Sequence, residues 1–264
     1  MKKYKFFLGG ADREMSAIRE HLERNNIPFE DWDLGWGAKA STYAVSIERA
    51  AREGFTPVLV ELELDIKNLF GAKVIDHHNE RAGEPASILQ VLALLGIEPT
   101  RHDLLIAAND TGFLHGLLRF GATSEEISEI RMTDRQIQAI TAKQEEQAAV
   151  ALREMRVEHI NGVALGIVDN IPHSRFAPVS DRAFAEGRID CLVSVYRGED
   201  GHEIQLEWYP ELVQVLREKY SGSWSGVQYW GSYANPDEVI NFIRKWLKEH
   251  GTLEGVSQPS PRQP

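Results

Sequence analysis

Residues 73–79 read KVIDHHN, a short β-branched run that ends in an acid and two histidines. Such a run predicts a buried strand that stops abruptly and presents polar side chains at its C-terminal end. In open α/β sheets, ligands bind at this edge of the sheet. Two interpretations of Asp76, His77 and His78 stay open from this stretch alone. They form a metal and proton-transfer site, or Asp76 caps the next helix and the histidines are solvated.

Strand and helix patterns alternate before this stretch. Apolar runs predict three earlier strands, at 5–8, 28–34 and 56–64. Apolar residues at helical spacing predict the two helices between them, at 15–22 and 44–51. This alternation is typical of βαβ units, so the sequence predicts a parallel sheet.

The rest of the chain divides into further segments. We expect a parallel-sheet N-terminal domain at 1–132 and a single linking helix at 133–158, a stretch rich in Gln, Glu and Ala. A smaller α/β C-terminal domain is expected at 159–250, and the Pro- and Ser-rich end at 251–264 predicts a disordered tail. The predicted fold class is therefore α/β with two domains.

The composition excludes several classes of protein. Cys191 is the only cysteine, which excludes an intramolecular disulfide and a cysteine-based zinc cluster. The 40 acidic and 29 basic residues give a net charge of −11, so we expect no binding to long double-stranded nucleic acid. A small phosphorylated or nucleotide substrate is compatible with this net charge, since a bound metal inverts the local field.

No apolar run is of membrane-spanning length, so we expect a cytoplasmic protein without a membrane partner. Nothing indicates the oligomeric state.

Acids follow the predicted strands of the first domain. They are Asp12 and Glu14 after the first strand, Glu61, Glu63 and Asp65 in or after the third, Asp76 after the fourth, and Asp110 in an Asp-Thr-Gly turn. Parallel strands end at one edge, so these carboxylates are expected to converge. Converging carboxylates repel one another unless a cation neutralises them. Carboxylates and imidazoles without thiolates favour Mn²⁺ or Mg²⁺ over zinc or iron.

Four motifs together resemble the DHH phosphoesterase family. They are GGADRE at 9–14, VLVE at 58–61, VIDHHN at 74–79 and ANDTGF at 108–113. The resemblance covers most of the chain, because the second half is similar to that family's substrate-binding domain. It implies a metal-dependent phosphoesterase that hydrolyses a small phosphodiester, such as a short oligonucleotide or a cyclic dinucleotide, by attack of a metal-activated hydroxide.

The resemblance also implies roles for individual residues. The implied metal ligands are Asp12, Glu14, Glu61, His77 and Asp110. The implied catalytic residues are His78, which would face the substrate phosphate, and Asp76, which would orient the imidazoles. The implied cofactor is Mn²⁺, with Mg²⁺ as the second choice.

The chain departs from the family pattern at several positions. Leu8 stands where the family has a histidine, Glu14 and Glu61 stand where it has aspartates, and YWGSY at 229–233 lies near the place of its Gly-Gly-Gly-His. A second class therefore stays open: a nucleotide-binding or regulatory protein on the same fold, with weak or no catalysis. Turnover of dinucleotides with added manganese distinguishes the two classes.

Four further residues are predicted to contact substrate. Trp36, between two glycines, is suited to stack on a base, with a packed loop as the alternative. Trp230 and Tyr233 predict a base-stacking rim, with an ordered structural loop as the equal alternative. His115 follows the Asp-Thr-Gly turn and is a candidate to reach the same cleft.

Overall fold

The structure is a computed structural model that describes residues 3–251 except 82, 174, 200 and 227. The chain divides into two compact units, 1–138 and 139–264. Each unit contains a sheet and helices, which confirms the predicted two-domain α/β class. The tail predicted at 251–264 lies, from residue 252 onward, outside the described part of the chain. Within that part, no helix combines the length and apolarity needed to span a bilayer.

The first unit alternates strands and helices along its first half and is helical afterwards. Its strands are β1 (Tyr4–Leu8), β2 (Phe29–Asp31), β3 (Thr56–Val60) and β4 (Lys73–Ile75). Its helices are α1 (Arg13–Arg24), α2 (Ala44–Arg52), α3 (Ser87–Leu95), α4 (Arg101–Phe120) and α5 (Ser124–Ile137). Short 3-10 helices lie at Ala40–Tyr43 and Asn79–Arg81.

The four strands of the first unit form a parallel sheet in the order β2-β1-β3-β4. Alternate side chains face opposite sides of the sheet, as the pleat requires. Phe6 and Leu8 lie in the core that includes residues of α1, α3 and α4, while Phe7 packs with residues of α2 on the other side. The chain passes from β1 to β2 on one side of the sheet and from β3 to β4 on the other side. The carboxyl ends of the neighbours β1 and β3 therefore form the topological switch point, where sheets of this kind bind ligands.

Residues 133–158 do not form the single linking helix that we predicted. Helix α5 ends at Ile137, α6 (Ala142–Arg153) follows, and the strand β5 (Arg156–Ile160) occupies the end of the stretch. The break arises because Ala139 adopts a left-handed φ of 56° and Thr141 starts a new helix with a capping box. The Asp-Thr-Gly segment is likewise not a free turn, since it lies within α4 just before a non-helical residue, Phe113.

The second unit contains a mixed six-stranded sheet in the order β5-β6-β7-β8-β10-β9. Besides β5, its strands are β6 (Val163–Ile171), β7 (Cys191–Gly198), β8 (Gly201–Glu207), β9 (Trp224–Ser225) and β10 (Tyr229–Ser232). Besides α6, its helices are α7 (Ala177–Glu186), α8 (Pro210–Lys219) and α9 (Pro236–His250). The pair β6–β7 is parallel and the other neighbours are antiparallel.

Candidate metal centre

The register of the parallel sheet brings the ends of three strands into one row. Leu8 of β1 pairs with Val60 of β3, and Val60 pairs in turn with Ile75 of β4. The residues that follow this row therefore leave the sheet side by side. They lead to Asp12 and to Asp76-His77-His78, and they include Glu61 itself. The register explains the predicted convergence for Asp12 and Glu61, but Glu63 and Asp65, which were predicted to converge as well, are exposed, and Asp65 accepts a hydrogen bond from the backbone of Ser41.

The backbone at this edge is tightly packed. A Cβ atom on Gly9 would lie 2.5 Å from the carbonyl oxygen of Glu61, so only glycine fits there. Gly10 has a φ of 90°, and Glu61 itself has a left-handed φ of 52°. This conformation ends β3 at Val60, four residues earlier than the predicted strand at 56–64. The Glu61 carboxylate consequently lies at the switch point, where its Oε2 atom is 3.4 Å from the Cβ position of Gly10.

The imidazole of His77 lies at the centre of the candidate site. Its Nε2 atom is 2.6 Å from Asp110 Oδ2 and 3.4 Å from both Glu14 Oε2 and Glu61 Oε1. All four side chains are largely buried, from 1% exposed for Glu14 to 12% for Asp110. Three carboxylates, from α1, from the residue after β3 and from α4, thus surround one ring nitrogen.

Several buried polar atoms in this cluster have no hydrogen-bond partner. They are Asp12 Oδ2, Glu14 Oε2, both oxygens of Glu61, Asp110 Oδ2 and His77 Nε2. The short contacts around His77 therefore lack the angles of hydrogen bonds, although they bring the atoms close. Buried polar atoms without partners are rare and costly in proteins. Their concentration in this cluster makes it a candidate cation site.

The remaining oxygens of two carboxylates fix the side chains in place. Asp12 Oδ1 accepts a hydrogen bond of 2.8 Å from the backbone N–H of Met15, so Asp12 is the N-cap of α1. Glu14 Oε1 accepts one of 2.9 Å from the N–H of Ile88, at the start of α3. Each carboxylate thus has one oxygen engaged by the backbone and one oxygen without a partner. Asp12 is a helix cap and a candidate ligand at once.

Burial and mutual repulsion shift the protonation equilibria of the cluster. Burial raises the pKa of Asp12 and of Glu14 well above the usual values, and the charge of Asp110 raises both further. Burial also raises the pKa of Asp110. Burial would lower the pKa of His77, but Asp110, Glu14 and Glu61 outweigh it and raise that pKa. The carboxylates therefore carry their charges together only when a cation lies among them, and otherwise some of them keep a proton.

His78 and Asp76 form a second, more accessible pair beside the cluster. Asp76 Oδ1 lies 2.9 Å from the backbone N–H of His78 and 3.0 Å from its Nδ1 atom. Burial would raise the pKa of Asp76, but its hydrogen bonds with His78 lower it. The ring of His78 is 4.2 Å from that of His77 between centroids, and its side chain is 31% exposed. His78 therefore borders the cluster and faces solvent on its other side.

The four predicted substrate contacts have different outcomes. Trp36 is 59% exposed, and its ring meets that of His78 edge-on at 5.7 Å between centroids. His115 is half-buried on α4, where burial and Arg119 lower its pKa. In the second unit, Tyr233 is 69% exposed and contacts the ring of Trp224.

The prediction of a substrate contact for Trp230 needs correction. This residue is fully buried, and its ring packs against Tyr220 at 5.5 Å within the core of the second unit. The sequence flanks it with glycine and serine, which suggested a loop. Instead, β10 pairs with β8 and places the Trp230 ring on the covered face of the sheet. The indole is a core residue.

The donor set fits a divalent cation of hard or borderline character. Two groups have ligand atoms within 4.8 Å of one another: Glu14, His77 and Asp110 in one, and Glu61, His77 and His78 in the other. Carboxylate oxygens and imidazole nitrogens suit Mn²⁺ and Mg²⁺. The second group adds His78, which the sequence had assigned to the substrate phosphate alone.

Sequence reasoning also missed the polar residues behind the cluster. Arg131 and Asp134 form a buried ion pair on α5, and Arg131 also donates to Asn109, the neighbour of Asp110. The motif at 108–113 pointed to Asp110 alone. The signal that was available is the occurrence of an arginine and an aspartate three residues apart on a helix.

The resemblance stated from the motifs is confirmed at the level of the fold. No protein-family model matches the sequence, and a search of curated proteins finds no relative. Among solved structures, the chain is similar to an exopolyphosphatase-related protein from Bacteroides fragilis. The TM-score is 0.50 at 11% identity, and the match covers 95% of this chain and 93% of that chain.

Two further solved structures are similar at 11% identity. One is a pGpG-specific phosphodiesterase, PggH from Vibrio cholerae. Its TM-score is 0.47, and the match covers 94% of this chain and 98% of that chain. The other is exonuclease RecJ bound to manganese. Its TM-score is 0.43, and the match covers 91% of this chain and 88% of that chain. At 11% identity, the similarity to the exopolyphosphatase-related protein shows a shared fold alone.

Proposed function

We propose that this chain is a metal-dependent phosphoesterase that hydrolyses a small phosphodiester, such as a short oligonucleotide or a cyclic dinucleotide. One observation carries the proposal: three buried carboxylate oxygens without hydrogen-bond partners, from Glu14, Glu61 and Asp110, lie within 3.4 Å of His77 Nε2. A protein does not maintain such a cluster for stability, because each unpaired atom costs free energy. Clusters of this kind are instead typical of sites that hold a cation.

Mn²⁺ is the proposed cofactor, with Mg²⁺ as the second choice. His77 and Asp110 would hold it, together with Glu14, Glu61 and the free oxygen of Asp12. When bound, such a cation lowers the pKa of water and stabilises negative charge on phosphate oxygens. The carboxylates fix its place, because Asp12 and Glu14 are themselves anchored by backbone N–H groups.

His78 and Asp76 are the proposed catalytic residues. Asp76 lies 3.0 Å from Nδ1 of His78, so it would hold the proton on that nitrogen and orient the ring. The charges of the site favour a protonated ring, since Asp76 and Glu61 raise the pKa of His78 against the opposing effect of burial. A protonated, partly exposed His78 would donate to a phosphate oxygen as charge develops there.

An aromatic surface beside His78 supports a nucleotide as substrate. The exposed ring of Trp36 would stack on a base whose phosphate reaches His78. His115 and Tyr233 remain proposed substrate contacts. We also assign the catalytic domain to 1–132 and the substrate-binding domain to 159–250, a division of roles that follows from the resemblance.

Turnover of a panel of linear and cyclic dinucleotides, with added Mn²⁺ and with a chelator, tests the proposal. We expect hydrolysis with Mn²⁺ and none with the chelator. Asp110→Asn keeps the shape of the side chain and removes its charge, so it is expected to abolish turnover. Asp103→Asn is the matched control on the same helix, since Asp103 contacts His21 away from the cluster. Equal turnover by wild type and Asp110→Asn would contradict the proposal.

A second candidate function is binding or regulation without efficient catalysis. The observation that favours it is Leu8, whose side chain is 1% exposed in the apolar core, at the position where the family has a histidine. The site therefore has one ligand fewer than the family pattern. Nucleotide binding without turnover at any Mn²⁺ concentration would select this second function.

A further inference from the structure

A buried ion pair lies behind the candidate metal centre. Arg131 and Asp134, both on α5, are each 4% exposed, and Arg131 Nη1 lies 3.0 Å from Asp134 Oδ2. Neither residue belongs to the proposed ligand set. Burying two charges is expensive, and removing both in favour of apolar residues often leaves a protein equally stable. Stability alone is therefore a weak reason for such a pair.

Arg131 holds the segment that carries Asp110. Its Nη1 atom donates a hydrogen bond of 3.0 Å to Asn109 Oδ1, directly before Asp110. Its guanidinium carbon also lies 5.5 Å from the ring centre of Phe113, three residues after Asp110. Phe113 has a φ of 46° and a ψ of −138°, a rare conformation that surrounding contacts must impose. One guanidinium thus contacts the chain on both sides of a proposed ligand.

Asp134 contacts the segment that carries Asp12. Its Oδ1 atom accepts a hydrogen bond of 3.4 Å from the backbone N–H of Arg13, the first residue of α1. The length shows a weak bond, but a carboxylate at a helix N-terminus also interacts favourably with the helix dipole. Asp12 is the residue immediately before this contact. The ion pair therefore touches the chain next to two proposed ligands that come from different elements.

We propose that the Arg131–Asp134 pair is a positioning device, which sets the separation of Asp12 and Asp110 so that one cation fits between their segments. This inference rests on the proposed function, because it requires that these carboxylates hold a metal. Residues that orient metal ligands from behind typically contribute about 10- to 100-fold to metal affinity. A pair that only stabilised the fold would change the melting temperature and leave the affinity of the folded protein unchanged.

The double variant R131M/D134L separates these two roles. It replaces both charges by apolar side chains and leaves neither charge buried alone, so we expect the variant to fold. Calorimetric titration with Mn²⁺, well below the melting temperature, is expected to show affinity lowered about 10- to 100-fold. Asp103→Asn is the control, because it removes the charge from another buried pair, Asp103 with His21 at 2.8 Å, which joins α1 and α4. Its Mn²⁺ affinity is expected to equal that of the wild type.

A second variant covers the case in which R131M/D134L does not fold. Asn109→Ala leaves the ion pair intact and removes only the hydrogen bond to the segment of Asp110, and we expect it to lower Mn²⁺ affinity about tenfold or more. If the double variant R131M/D134L folds and binds Mn²⁺ with wild-type affinity, the positioning role is overturned and the proposed function is not. If the double variant does not fold, wild-type Mn²⁺ affinity in Asn109→Ala has the same meaning. Absence of Mn²⁺ binding by the wild type overturns the proposed function and this inference together.

Discussion

Replacement of His77 by alanine gives the sharpest test of the candidate metal centre. His77 is common to both groups of potential ligands, whereas His78 belongs to only one of them. Loss of His77 should therefore abolish metal binding, and loss of His78 should leave it largely intact. The same substitution, from histidine to alanine, is made at two adjacent residues, so chemistry and chain position are matched.

The size of the effect follows from linkage. A ligand present at 100 times its dissociation constant raises the free energy of unfolding by about 2.7 kcal/mol. For a chain of this size, roughly 2–4 °C of melting temperature corresponds to each kcal/mol, so Mn²⁺ should raise the melting temperature of the wild type by about 5–11 °C. His78→Ala should keep most of this shift, while its turnover falls by about 10²-fold or more. His77→Ala should show no shift.

Thermal unfolding with Mn²⁺ and with a chelator measures this difference for each variant. Comparing each variant with itself removes the change in metal-free stability that the loss of an imidazole causes. His159→Ala is the control for incidental binding, because His159 is an exposed residue of the second unit. Elemental analysis of the purified proteins gives the metal content directly. A full Mn²⁺ shift in His77→Ala, or none in the wild type, would refute the assignment of the site.

Three further predictions concern other parts of the molecule. Gly9→Ala should weaken Mn²⁺ binding measured by calorimetry and destabilise the chain by roughly 1–3 kcal/mol, because the new Cβ meets the Glu61 carbonyl; unchanged affinity would contradict this. Trp230→Ala should cost about 3–5 kcal/mol in urea unfolding, since the ring is fully buried, and a loss below about 1 kcal/mol would show that the ring is not part of the core. Arg244 lowers the pKa of Glu158 below its usual 4.5, so this pair stabilises the folded state above that pH and the contribution disappears as the pH falls through the lowered value. The wild type should therefore exceed Glu158→Gln in stability by up to about 1 kcal/mol at pH 7, and the difference should shrink as the pH falls below 4.5; a difference that is independent of pH would argue against the pair.

The parallel sheet was predictable because the sequence of each of these strands carries a local signal. β1, β3 and β4 are apolar runs that end in glycine or in acids, and α3 ends at Gly96 in the left-handed conformation that a helix C-terminus favours. The acids at the strand ends were found for the same reason. Their convergence needed only the rule that parallel strands end at a common edge.

The parts that sequence reasoning missed depend on contacts between distant residues. The strand β5 follows α6 after only two residues, and its alternation was hidden behind a composition typical of helices. The burial of Trp230, predicted as a base-stacking residue, depends on the pairing of β10 with β8, which its glycine and serine neighbours do not indicate. The anchoring of Glu14 by Ile88, 74 residues away, and the pairing of Arg131 with Asn109 have no local signal at all.

The alignment of Leu8, Val60 and Ile75 has a consequence for the folding kinetics of the first unit. The acids beyond these residues are far apart along the chain, so their mutual repulsion is absent while the chain is unfolded and arises as the strands pair. Parallel pairing across long crossovers is a late and slow event in folding. A cation at this edge would therefore act mainly after the rate-limiting step, slowing unfolding more than it accelerates folding.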